Sequence, residues 1–208
     1  MIELYAITDA PGTGLADLAP LRVLPSGRLA VVYARAAGGE VSADALWRHE
    51  ELVEALMQQR DVLPFRYGTR CEDEASLARI VQERHGELTR ALDGIRGAVE
   101  LSLRVLATQS PDGPPSAGES GADYVAAKSR AGAVARAVVD SVHGPLSALA
   151  RASRQRAIDT SEPLRAAYLV DRGQVDGFAR SVADLQARHP ELRLLCTGPW
   201  PAYSFAES

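Results

Sequence analysis

Four histidines, two cysteines and a scatter of carboxylates are the groups through which this chain of 208 residues could do chemistry. The densest set is His49 with Glu50, Glu51 and Glu54, in the run WRHEELVEALM. A histidine among carboxylates can move a proton or ligate a metal. HEELV, however, is not the HExxH zinc signature, which needs a second histidine one helical turn on. His49 also falls between Leu46 and Val53 at helical spacing, so it reads as a structural histidine, hydrogen-bonded at the edge of a core. His85 lies on or near the apolar side of a second helical pattern and reads as packing. Cys71 and Cys196 are far apart and form no CxxC, which predicts reduced thiols in a reducing compartment. The spacing sets no nucleophile beside a base and groups no His, Cys, Asp and Glu as metal ligands. The residues therefore predict no catalytic centre, no metal and no cofactor. Asp9 to Gly14 (DAPGTG) follows a strand as phosphate loops do, but carries neither GKS or GKT nor GxGxxG. Arg66, beside Tyr67, has the chemistry to hold an anion; pairing with an acidic group of the preceding helix is the expectation.

The elements that position these residues are those of an α+β protein. Ile2 to Thr8 alternates and reads as a strand, and Leu21–Leu24 with Leu29–Ala34 reads as a hairpin whose turn uses Gly27. Ser42 caps a helix to about Gln59, with Leu46, Val53, Leu56 and Met57 as its apolar stripe. Val62, Leu63 and Phe65 are strand-like, and Pro64 pushes that strand to an edge. A second helix spans Glu72 to Ala91, with Leu77, Ile80, Val81, Leu88 and Leu92 on one side. Gly94 and Gly97 then punctuate the chain, which divides it into residues 1–93 and 94–208. Ala98 to Ala107 alternates as a half-buried strand. Gln109 to Ala122 is too poor in apolar residues to order itself and reads as a mobile loop. Tyr124 to about Ala152 is one long alanine-rich helix, kinked or broken at Gly144-Pro145. Strands follow at Gln155–Thr160 and Leu164–Asp171, a helix at Gln174–Arg188 and a last strand at Leu192–Cys196. The second half thus has the order βαββαβ, a modified ferredoxin-like domain with a long helix. The first half is α+β as well.

The chain ends in GPWPAYSF. Gly198 and Pro199 are expected to break the last strand, and Trp200, Tyr203 and Phe205 to fold back as an aromatic lock. The same rings are favoured interface anchors, so a partner surface is the alternative. The formal net charge of −4 and the lack of any Lys/Arg run exclude general attraction to nucleic acid. No segment approaches the roughly 20 apolar residues that span a bilayer. MIELYAITDA lacks the pattern of a signal peptide, which predicts a cytoplasmic protein.

Several segments together resemble the gas vesicle protein F/L family: the YAIT strand, WRHEELVEALM, VLPFRYGT, GAVELSLRV, AAYLVDR with its following helix, and the closing GPWPAYSF. They occur in the family's order across nearly the whole chain. Ala202 stands where the family often carries a further proline, and Tyr67 where Phe is common. The resemblance implies a non-enzymatic accessory protein, associated with gas vesicles, that binds the small, hydrophobic major shell protein and assists assembly. Other accessory proteins of the vesicle are further candidate partners. The residues offered for a partner-binding or locking role are Val62, Leu63, Phe65, Arg66, Trp200, Tyr203 and Phe205. The competing function is a ligand-sensing or regulatory ferredoxin-like domain, which would need a deep polar pocket with a convergent charged group.

Overall fold

The computed structural model describes residues 1–10, 20–36, 42–108, 137, 139–156 and 162–206. The chain divides into two compact units, one formed by Met1–Val99 with Trp200–Ser208 and the other by Glu100–Pro199. The division falls inside two strands, so the aromatic tail belongs to the first unit although it ends the second half of the sequence.

The first unit is built on a sheet of order β2-β3-β1-β4, with a further strand, β5, also paired to β1. These strands are β1 Ile2–Asp9, β2 Arg22–Ser26, β3 Leu29–Arg35, β4 Leu63–Pro64 and β5 Arg70–Cys71. Strands β1 and β3 are buried almost end to end rather than on alternate residues, as central strands are. The hairpin turn is Gly27-Arg28, so Pro25 and Ser26 lie inside β2 rather than in the turn. Gly27 has φ +60, and a Cβ there would stand 3.1 Å from His85 Nε2. Pro25 is tolerated because β2 ends the sheet. Helix α1 (Ala43–Gln59) begins where Ser42 accepts the Ala45 N–H, and it buries His49, Val53, Leu56 and Met57. Leu46, expected on that stripe, is instead exposed.

The single helix expected over Glu72–Ala91 is two: α2 Glu74–Glu83, capped by Asp73, and α3 His85–Ile95. They meet at Arg84, whose backbone (φ −100, ψ 9) leaves helical geometry. Gly86, a poor helix former, follows directly. Helix α3 runs past the expected end because Leu92 and Ile95 are both buried.

The second unit carries a sheet of order β7-β8-β6-β9: β6 Ala98–Ala107, β7 Ala152–Arg156, β8 Leu164–Asp171 and β9 Leu192–Trp200. Helix α5 (Val175–Arg188) presses Phe178, Val182 and Leu185 onto Leu103, Val105, Leu164, Tyr168 and Leu192. Of the long helix, the described parts are Ala137, which is helical, a five-residue π-turn, Val139–His143, and the short α4, Gly144–Ser147. Proline at the start of α4 cannot donate its i→i−4 bond, which accounts for the change of winding there. Helix therefore stops at Ser147, Leu149 is exposed and Ala152 already belongs to β7. The expected loop at 109–122 and the helix residues before 137 lie outside the described residues. Strand β9 does not break at Gly198-Pro199 but continues through that cis peptide to Trp200. An edge strand needs only one row of ladder bonds, so proline is accommodated. Leu192 and Leu194 are buried while Arg193 is exposed, because alternate side chains of the strand point to the core face and to the outer face.

Candidate functional site

In the first unit the chemistry gathers around His49, which is 1% exposed. Its Nε2 stands 2.9 Å from the Phe65 carbonyl oxygen. A carbonyl only accepts, so Nε2 carries the hydrogen. Nδ1 then faces Glu3 Oε1 at 3.6 Å, and neither atom has another hydrogen-bond partner. A β-bulge explains how the ring is packed. The β1–β3 register shifts between Leu4 and Ala6, so Tyr5 leaves the ladder and stacks on His49 with ring centroids 4.6 Å apart. The Tyr67 ring meets the same imidazole edge-on at 5.7 Å. Burial, with the Glu3 carboxylate adding to it, pushes the Tyr5 phenol up. The couple has acid–base chemistry but no access for a substrate. It joins β1, α1 and the segment after β4.

At the other end of β1, Arg96 grips Asp9 with both terminal nitrogens, at 2.5 and 3.1 Å, and also donates to Asp93 at 2.9 Å. Arg28 of the hairpin turn donates to Asp93 at 2.8 Å. The Arg96 hydrogen bonds hold both Asp9 and Asp93 below the usual carboxylate range. Asp61 accepts the Gly97 N–H at 2.8 Å. These contacts fasten the hairpin and the end of α3 to the sheet.

The second unit holds two polar clusters. Glu162 accepts a two-pronged grip from Arg104 on β6 and another from Arg165 on β8, with distances of 2.9 to 3.1 Å. The two guanidinium groups depress its carboxyl to about 2. On the helix-bearing face, the His143 Nδ1 lies 2.9 Å from the Tyr168 hydroxyl, and the Tyr168 ring packs on Phe178 at 5.1 Å. Burial holds the His143 imidazole below its ordinary value and pushes the Cys196 thiol up, away from nucleophilic thiolate. Cys71 and Cys196 are both free, one in each unit. Among the described residues no group of three or more His, Cys, Asp or Glu is placed to hold a metal.

The model of the GvpL/GvpF family, described as gas vesicle synthesis protein, matches residues 3–207. The chain belongs to that family. Gas vesicle protein L of a Streptomyces species is 33% identical over 98% of this chain and 80% of its own length. Gas vesicle protein F2 of Halobacterium salinarum is 25% identical over 78% of this chain and 68% of its own. Crystal structures of GvpF from Anabaena and from Microcystis aeruginosa superpose with TM-scores of 0.82 and 0.75. Each is 18% identical; the alignments cover this whole chain and 98% and 99% of those chains. That level of identity speaks to the shared mixed α+β fold.

The segments that carry the family likeness can now be located. Val62 and Leu63 are buried, Phe65 is half-buried and Arg66 exposed; of these Leu63 lies in the two-residue strand β4, where Leu63 and Pro64 pair with Ile7 and Ala6 of β1. Phe65 also gives its N–H to Tyr5 O at 2.8 Å. In the tail, Trp200 is 40% exposed, while Tyr203 and Phe205 are half-buried. The Tyr203 hydroxyl is buried, and so is Ala202 beside it. Burial pushes that phenol up, and the Glu50 and Glu54 carboxylates of α1 push it the same way. The tail and α1 thus share one surface of the first unit. Sequence reasoning missed Glu3 and Tyr5 as partners of His49. A glutamate between Ile2 and Leu4, near the start of a mostly apolar strand, was the available signal. It also missed the exposure of Leu46 and Trp47, which helical spacing alone does not assign to a side.

Proposed function

We propose that this protein binds the major gas vesicle shell protein and assists its assembly, as a non-enzymatic accessory protein that stays out of the bulk shell. The observation that carries the reading is family membership over residues 3–207. A shell subunit that self-associates through strands and apolar faces needs a partner to cover those surfaces before assembly. The first unit offers short sheet edges, an aromatic tail and a partly apolar outer face of α1. In the second unit we read the strand order β7-β8-β6-β9, with its helices, as the split βαβ of a ferredoxin-like domain. Vesicle association and a cytoplasmic location belong to the same proposal. No helix of the described residues is long and apolar enough to cross a membrane. The test is made in vesicle-forming cells, by tagging this chain, recovering it after brief crosslinking and probing for the shell protein. Deletion of its gene is expected to reduce or abolish vesicles. Absence of crosslinked shell protein together with normal vesicles in the deletion strain overturns the proposal.

A further inference from the structure

Helix α1 carries an apolar surface that the fold leaves open. Trp47 is 68% exposed and Leu46 42%, on a helix that buries Val53, Leu56 and Met57 and half-buries Leu52. A single exposed apolar residue is ordinary. Two adjacent ones, including one of only two tryptophans in the chain, form an anchor of the kind that dominates interfaces. The surroundings are acidic. Glu50, Glu51 and Glu54 stand three, four and seven positions after Trp47, on the same side of the helix, and Asp44 precedes it. Arg48 is the helix's one basic residue. Glu51 is exposed, whereas Glu50 and Glu54 are half-buried beside the Tyr203 hydroxyl of the tail.

A wholly apolar partner laid on this surface would strip water from carboxylates and return nothing to them. A partner with a cation beside its apolar residues pairs them instead, which gives both registry and faster association. We infer that Leu46 and Trp47, rimmed by Glu51, are the docking surface for an apolar segment of the shell subunit that carries a lysine or arginine next to its apolar residues. The inference rests on the proposed binding of the shell subunit.

The experiment titrates the purified shell protein of the same organism, kept dispersed in mild detergent, onto the immobilised full chain. Wild type, Trp47→Ala, Glu51→Lys and, on the second unit, Arg154→Glu are compared, with melting curves to establish that each is folded. Trp47→Ala is expected to weaken binding about tenfold or more. Glu51→Lys should weaken it and flatten its salt dependence, and Arg154→Glu should bind as wild type. If wild type binds and both α1 variants bind equally well, the docking surface is wrong while the proposed function stands. If wild type does not bind at all, the proposed function fails and takes this inference with it. A concentration-dependent dimer that Trp47→Ala abolishes, with shell binding intact, assigns the face to a second copy of this chain and overturns the inference.

Discussion

His49 is held by three different interactions, a hydrogen bond to Phe65 O, a stack on Tyr5 and the approach of Glu3. Removing the ring deletes all three and leaves a void. His49→Ala should cost about 2–4 kcal/mol in urea unfolding, as large-to-small changes at fully buried sites do. Glu3→Gln should cost less than about 1 kcal/mol, because the carboxamide keeps the side chain's volume and can turn an N–H towards Nδ1. Two titrations are predicted, and both cost stability as pH falls. Glu162 has its carboxyl lowered from 4.5 to about 2 in the fold. Its contribution is therefore complete above the unfolded value of 4.5 and is lost as pH falls towards 2. Glu162→Gln should remove that acid-side slope from the stability profile. His143 is also depressed, below 6.5, by burial. The neutral ring is the folded form, so stability is full above 6.5 and declines as pH drops below it. Chemical-shift titration of the His143 ring protons checks the direction.

At the scale of elements, the tail and the hairpin turn carry the predictions. Trp200→Ala would cost roughly 3–5 kcal/mol were the ring fully buried. At 40% exposure the expected loss is about 1–2 kcal/mol, read as a small drop in melting temperature. Phe178→Ala, at 1% exposure in the second core, should cost about 3–5 kcal/mol. Gly27→Ala meets both a positive φ and the His85 ring at 3.1 Å, and should destabilise by about 1 kcal/mol or more. The legibility of these elements in the sequence follows from which forces fix them. Strand β8 and helices α1 and α5 were readable because period and burial coincide, and Ser42 announced its cap. The break at Arg84 was not readable, since the apolar spacing runs straight across it and Gly86 alone marks no helix end. The continuation of β9 through Gly198-Pro199 was hidden as well. Proline stops a central strand, and strand order decides whether a strand is central.

At the scale of the whole molecule, the sequence carried its family in the order of short segments that are individually weak, and the match over residues 3–207 agrees with that order. The position of the tail was less accessible. Nothing in GPWPAYSF indicates that Trp200–Ser208 joins the first unit, because the carboxylates that act on the Tyr203 phenol, Glu50 and Glu54, lie some 150 residues earlier in the chain. The candidate partner surface shows the same division: edge position could be read from Pro64, whereas exposure of Trp47 depends on which side of α1 faces the sheet. The most direct test of the account is co-expression of this chain with the shell protein, followed by size-exclusion chromatography of the soluble fraction. The account predicts that shell protein which is insoluble alone becomes soluble and co-elutes with this chain. Shell protein that stays in the pellet, with this chain eluting by itself at its monomer position, would contradict it.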